Sequence, residues 1–185
     1  MRDETTKLSA MTVGLHWLLA IAMIAMLAFG LVLEDMERGA AKSALMWWHK
    51  GFGVTILVFA AWRLGWRMMN GLPTLPGRGT SGWQESAAVA VHWFLLLGTL
   101  LMPISGMMLS LGGGHPIDVF GLFTIGPWQK NDGLHEVGEA IHGLGGKLLI
   151  LAVVLHVAGA LKHHIVDRDG TLRRMLGASV TAEGR

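Results

Sequence analysis

The sequence predicts an all-α membrane protein, a bundle of four transmembrane helices with both termini cytoplasmic. Three observations predict it. Hydrophobic residues make up 52% of the 185-residue chain and charged residues only 15%, against roughly 25% charged in ordinary soluble domains. Two long stretches are nearly free of ionisable side chains, a third is strongly apolar with its charged residues mainly toward the ends, and a fourth is bracketed by basic residues and tryptophan. The basic residues themselves divide unequally between the two sides that four crossings would create. The formal charge of +2 is too small to argue for a nucleic-acid partner, so lipid is the expected surrounding. Without cysteine, disulfides, iron–sulfur clusters and thiolate metal ligation are excluded.

Residues 11–33 contain no acidic or basic side chain apart from His16. At about 1.5 Å per residue that run crosses a hydrocarbon core of about 30 Å. It is too long for the apolar part of a signal peptide and is followed by no small-residue cleavage site, so it is expected to be the first helix. The second crossing, over residues 44–68, has the shortest uncharged centre, residues 51–62. Lys50, Arg63 and Arg67 flank that centre, and Trp47, Trp48, Trp62 and Trp66 bracket it. Long basic side chains reach back to the interface and Trp anchors there, so the segment is expected to span. Residues 69–82 hold Pro73, Pro76 and four glycines and predict a loop.

The third span covers residues 86–111. Pro103 lies within it, near Gly106, and is expected to kink the helix because proline removes a backbone donor. Gly112, Gly113, Gly114 and Pro116 end it. A Gly-rich connection follows, with a short interfacial piece expected around residues 120–128. The fourth helix is expected over residues 134–165, longer than the bilayer core and projecting at both ends. The chain reads as a single domain over residues 1–185. Ten Lys and Arg residues fall on the side of the termini and the 2–3 loop, and five on the other. That bias predicts cytoplasmic termini, with the two remaining loops facing outward from a bacterial inner membrane.

Nine histidines are many for so apolar a chain. A polar side chain in lipid costs several kcal/mol unless something satisfies it, so intramembrane histidines point to function. His135, His142, His156 and His163 on the fourth helix recur at multiples of seven residues and share one face. His142 and His156 are separated by about 21 Å along the axis, one near each side of the membrane. His49 is level with His142. His16 and His92 are both level with His156. Two facing imidazoles at one level are what a six-coordinate haem requires, and the apolar macrocycle suits the space between helices. A single such histidine would more often be a packed, hydrogen-bonded residue or a proton relay; four matched in depth favour two b-type haems, with iron held at His16 or His92, His49, His142 and His156. A closed zinc site, as in a metal transporter, would want four ligands converging at one level, and each level here offers two or three. His115 reads as a solvated loop residue, His135 as interfacial and His164 as cytoplasmic surface. Two axial imidazoles leave no open iron position, so the expected chemistry is electron transfer.

Several blocks then resemble the prokaryotic cytochrome b561 family over residues 7–175. They are Leu15-His16-Trp17, Trp48-His49-Lys50-Gly51, Arg63-Leu64-Gly65-Trp66-Arg67 and Pro103-Ile104-Ser105-Gly106. On the fourth helix they continue as Ile141-His142, Leu155-His156 and Lys162-His163-His164, followed by Asp169-Gly170-Thr171-Leu172. The resemblance implies four helices, cytoplasmic termini, two b haems and a quinone site. It implies one haem on His16 and His156 at the inner level and another on His49 and His142 at the outer level, with His92 left over. The chain's size, the His163-His164 pair and the Asp-Gly-Thr-Leu segment look closest to the stand-alone superoxide oxidase branch. That likeness implies a superoxide:ubiquinone oxidoreductase. The same family also supplies cytochrome b subunits to hydrogenases and dehydrogenases, which would require a redox protein partner.

On that reading, superoxide gives up one electron at the outer face, where Lys50 or Lys147 supplies positive charge. Lys147 is expected to snorkel outward or to pair with a haem propionate rather than to guide the anion. Quinone reduction needs protons near the inner haem, and His163, then His92, are the candidate donors.

Overall fold

The computed structural model describes residues 6–73 and 82–180. Its four long helices are α1 (Ala10–Asp35), α2 (Ala40–Asn70), α3 (Gly82–Gly112) and α4 (Asp132–Ile165), each long and apolar enough to cross a membrane. A five-residue helix α5 (Thr171–Met175) follows α4. The expected loop over residues 69–82 falls largely on 74–81, outside the described residues.

Helix ends follow local chemistry. The Ser9 hydroxyl accepts the Thr12 amide at 3.3 Å and caps α1. The Asn131 side-chain oxygen accepts the Leu134 amide at 2.9 Å and caps α4. Each satisfies one of the amides that a helix start leaves unpaired. α2 stops where Gly71 turns to φ 72°, a backbone that costs glycine little. α3 remains helical through Pro103.

Ile21, Val58, Leu101 and Leu151 point outward from the middle of their helices and are more than half exposed, as residues facing lipid chains should be. Inside, Leu19 and Met23 of α1 pack on Ile56 and Ala60 of α2. α3 and α4 run against each other most closely, through glycines. A Cβ on Gly138 would overlap the Leu109 backbone, and one on Gly112 the His135 backbone. Small residues permit this approach, which is the main source of helix attraction in lipid. Gly138→Val is therefore expected to cost about 2 kcal/mol and to lower the thermal midpoint by roughly 4–8 °C. Thermal denaturation followed by circular dichroism in detergent checks it; an unchanged midpoint would mean that the two helices can separate without loss.

By contrast, α1 and α2 stand off from α4, with hardly any of their Cα atoms within 8 Å of it. The gaps lie between the helices that carry the paired histidines.

One connection departs from the all-α expectation. The piece expected over residues 120–128 is instead a hairpin of β1 (Ile117–Val119) and β2 (Phe123–Ile125), antiparallel, with Ile117 opposite Ile125. Phe120 and Gly121 between the strands both take positive φ. The Asp118 carboxylate holds the turn by accepting the Gly121 amide at 2.7 Å and the Trp47 indole N–H at 2.8 Å. Phe120 then packs on Trp47, Trp48 and Phe52 of α2. Gly51 leaves the room, since a Cβ there would come 2.7 Å from the Phe120 ring. The strands were not legible beforehand because three residues each are too few to show a period.

Candidate haem-binding histidines

Two groups of histidine rings meet between the helices. Near the hairpin end, His49 of α2 faces His142 of α4 with ring centres 6.3 Å apart. Near the end that carries the termini, His16 of α1 and His156 of α4 are 6.2 Å apart. His92 of α3 lies closer to His156, at 5.3 Å. An atom held from opposite sides by two imidazoles through bonds of about 2 Å sets their centres about 6 Å apart. The first two pairs meet that spacing, and the His92–His156 contact is tighter than it allows.

The His142 ring is held by α3. Its Nδ1 lies 3.0 Å from the Met102 carbonyl and 3.2 Å from the Ser105 hydroxyl. With Nδ1–H donating to the carbonyl, Nε2 carries the lone pair a metal needs, and the second nitrogen fixes the ring's orientation. Pro103 sits within this same turn. His49 lies edge-on to Phe29, and its buried Nδ1 has no hydrogen-bond partner among the described residues. The protein alone thus leaves that ring under-satisfied.

A cavity of about 620 Å³ opens beside this pair, lined among others by His49, His142 and the glycines Gly30, Gly53, Gly106, Gly143 and Gly146. Its size is within the usual range for a bound organic group. The glycines make it: a Cβ on Gly106 would reach within 3.0 Å of the His142 ring. Lys42, Lys50 and Lys147 line the same cavity, together with Glu34 and Glu139. Lys42 donates to the Met36 carbonyl at 2.9 Å and Lys50 reaches the Pro116 carbonyl at 3.5 Å. Among the described residues none of the three lysines forms a salt bridge. Lys147 is exposed.

At the other level, Arg63 lies deeper than the interfacial position expected from sequence: its Nη2 is 3.3 Å from His16 Nδ1. Arg67 is buried as well, and does not snorkel. It donates to the Gly71 carbonyl at 3.0 Å and to the Thr12 hydroxyl, which also accepts the Trp66 indole N–H at 3.0 Å. The Gly71 carbonyl and the Thr12 hydroxyl give the guanidinium acceptors inside the protein, so it need not reach water.

Among the described residues the remaining histidines form no ring pair with these, although His115 and His135 line the same cavity. His135 Nδ1 bonds the Leu109 carbonyl at 2.8 Å, and His115 is exposed. His163 Nδ1 meets Asp169 at 2.8 Å and Asp167 at 3.1 Å, while His164 is exposed. The residues that sequence reasoning passed over are Met102, Ser105 and Arg63. A backbone carbonyl has no sequence signature, and a flanking arginine reads as interfacial until its neighbours are known.

The donor set fits b-type haem: neutral imidazoles in facing pairs, a glycine-lined gap between helices, and basic side chains near its mouth. Comparison with known proteins agrees. The prokaryotic cytochrome b561 family profile matches residues 7–178. The chain is 33% identical to "Cytochrome b561 homolog 2" of Escherichia coli K12 over 173 residues, 91% of this chain and 90% of that protein. It is 29% identical to "Probable superoxide oxidase CybB" of Yersinia pestis, over 92% of this chain and 96% of that one. It is 28% identical to "Cytochrome b562" of Cereibacter sphaeroides, over 89% and 91%. Four apolar helices, the paired histidines and a match across nearly the whole chain have one reading: this chain is a member of the prokaryotic cytochrome b561 family, a multi-pass electron-transfer protein of the bacterial inner membrane that binds b-type haem.

Proposed function

We propose that the protein carries two b haems and passes electrons from superoxide at its outer face to ubiquinone at its cytoplasmic end. The observation that carries the reading is the spacing of the two histidine pairs, His49–His142 at 6.3 Å and His16–His156 at 6.2 Å, on opposite halves of one helix. In this reading His16 and His156 hold the inner haem, and His49 and His142 the outer. Bound haem supplies one-electron exchange between the two ends. Overall, two superoxide anions, one quinone and two protons become two dioxygen molecules and one quinol.

The chain's own groups do the rest. Superoxide is an anion and loses an electron without taking a proton, so the outer end needs only attraction and access. Lys42, Lys50 and Lys147 outnumber Glu34 and Glu139 in the cavity lining, and a net positive charge raises the local concentration of an anion. The hairpin end faces outward, as the bias of basic residues toward the termini side requires. At the cytoplasmic end, His163 and His92 are the titratable groups near the inner pair, and a quinone reduced there draws its protons from that side. The likeness to a relative named as a probable superoxide oxidase supports superoxide as the donor.

Protein purified in detergent should show a reduced-minus-oxidised b-type spectrum with two haems per chain. Stopped-flow mixing with superoxide should then reduce the haems within milliseconds, and a short-chain ubiquinone should reoxidise them. Slow reduction by superoxide, with rapid reduction by a partner dehydrogenase, would overturn the oxidase reading in favour of a subunit role.

A further inference from the structure

We propose that Asp169 is a positioning residue that holds the His163 imidazole as proton donor to quinone; this rests on the quinone reading above. His163 lies seven residues beyond His156 on α4, which places it about 10 Å further toward the termini end on the same face. Its Nδ1 is engaged by Asp169 Oδ2 at 2.8 Å, and its Nε2 makes no hydrogen bond among the described residues. The ring therefore has one nitrogen held and one available.

Asp169 is itself fixed at three points. Its second oxygen accepts the Thr171 amide at 2.9 Å, and its own amide donates to the His163 carbonyl at 3.1 Å. The carboxylate spans from the start of α5 back to the end of α4. Asp167 is also within 3.1 Å of His163 Nδ1, but the Lys162 ammonium bonds both of its oxygens, at 2.9 and 2.7 Å. That hydrogen bond holds the Asp167 carboxyl below its ordinary pKa, so the pair stays ionised at neutral pH and separates only as pH falls into the acid range. Lys162 answers the charge of Asp167, which leaves Asp169 to the histidine. The same ammonium argues against a metal ion in this cluster, although the donor atoms of His163, Asp167 and Asp169 lie within 4.8 Å of one another.

The segment bearing Asp169 is clamped to the rest of the protein. The Trp17 indole N–H, next to His16 on α1, donates to the Met175 carbonyl at 2.7 Å. The Val180 amide donates to the Thr6 carbonyl at 2.9 Å. Gly170 permits this fold-back, since a Cβ there would overlap Val180. The carboxylate is thus registered against the helix that carries His16.

The chemistry balances without a further reagent. Quinone takes two electrons from the donor named above and two protons from water at the cytoplasmic end. For each proton, the protonated His163 ring releases Nε2–H to a quinone oxygen and regains a proton from water. Asp169 keeps Nδ1–H in place, so the ring reprotonates at Nε2.

The test uses the full chain, haem-loaded, in lipid nanodiscs with a short-chain ubiquinone. Asp169→Asn is expected to lower kcat for quinol formation by about 100-fold, within the range of general acid catalysis, with KM and haem content unchanged. Asp169→Glu should recover part of the loss. In ¹⁵N-histidine spectra the His163 signal should report one fixed tautomer, Nδ1–H, in the wild type and a mixture in Asp169→Asn. His163→Ala should slow the same step, and added imidazole should restore part of it. Asp169→Asn with wild-type kcat, or with an unchanged tautomer, would overturn the proposal, as would loss of haem in both Asp169 variants. Wild-type protein that forms no quinol would overturn the function proposed above; normal wild-type turnover with unaffected variants would overturn only the role of Asp169.

Discussion

On the pairing and function proposed above, His156→Ala is expected to release one haem of two and to reduce superoxide-dependent quinol formation to background. The alanine removes one imidazole of the pair whose centres lie 6.2 Å apart. His142→Ala should release the other haem, because it breaks the 6.3 Å pair with His49. Each single variant should keep the haem at the opposite level, since the two pairs share a helix but no residue. Their sites are separated by about 21 Å along α4, too far for the remaining haem to serve both ends. A group bound at 1,000 times its Kd contributes about 4 kcal/mol to the folded state, so each variant should also melt at lower temperature. Haem content by pyridine haemochrome, with quinol formation on the same samples, checks both statements. Two haems retained in either variant would refute the pairing.

The second large effect separates His16 from His92. Both rings lie at the level of His156, and sequence spacing cannot choose between them. The geometry favours His16: its ring centre stands at a distance that suits an atom held from opposite sides by two imidazoles, whereas the 5.3 Å contact of His92 is shorter than that. His16→Ala is expected to lose the inner haem, while His92→Ala should retain both haems with slower quinol formation. Low-temperature optical spectra, which resolve two overlapping b-type bands, distinguish the outcomes. Loss of a haem from His92→Ala and its retention in His16→Ala would exchange the assignments.

Much of this arrangement was legible beforehand, for identifiable reasons. The four helices follow from long apolar runs, and they lie at residues 10–35, 40–70, 82–112 and 132–165. The second was the hardest to assign because Arg63 and Arg67 shorten its apolar centre. In the structure those arginines turn inward, to His16 and Thr12, so the helix spans by enclosing its charges rather than by extending them to the interface. The depth matching of histidines came from arithmetic on helical rise, which is insensitive to how the helices pack. The hairpin was not legible, because its stability resides in Asp118 and in the seat that Gly51 provides for Phe120, contacts between segments about 70 residues apart.

By itself the sequence determined the solvent this protein lives in, the number of its crossings, and which histidines share a level and a face. Those properties depend on hydropathy and on a fixed rise per residue, both local to the chain. Only the tertiary structure decided which of two histidines stands at ligand distance from His156, which carbonyl orients His142, and which carboxylate holds His163. Each of these depends on the angle and offset between helices. Packing at residues such as Gly106, Gly112 and Gly138 sets that offset, and no local pattern encodes it.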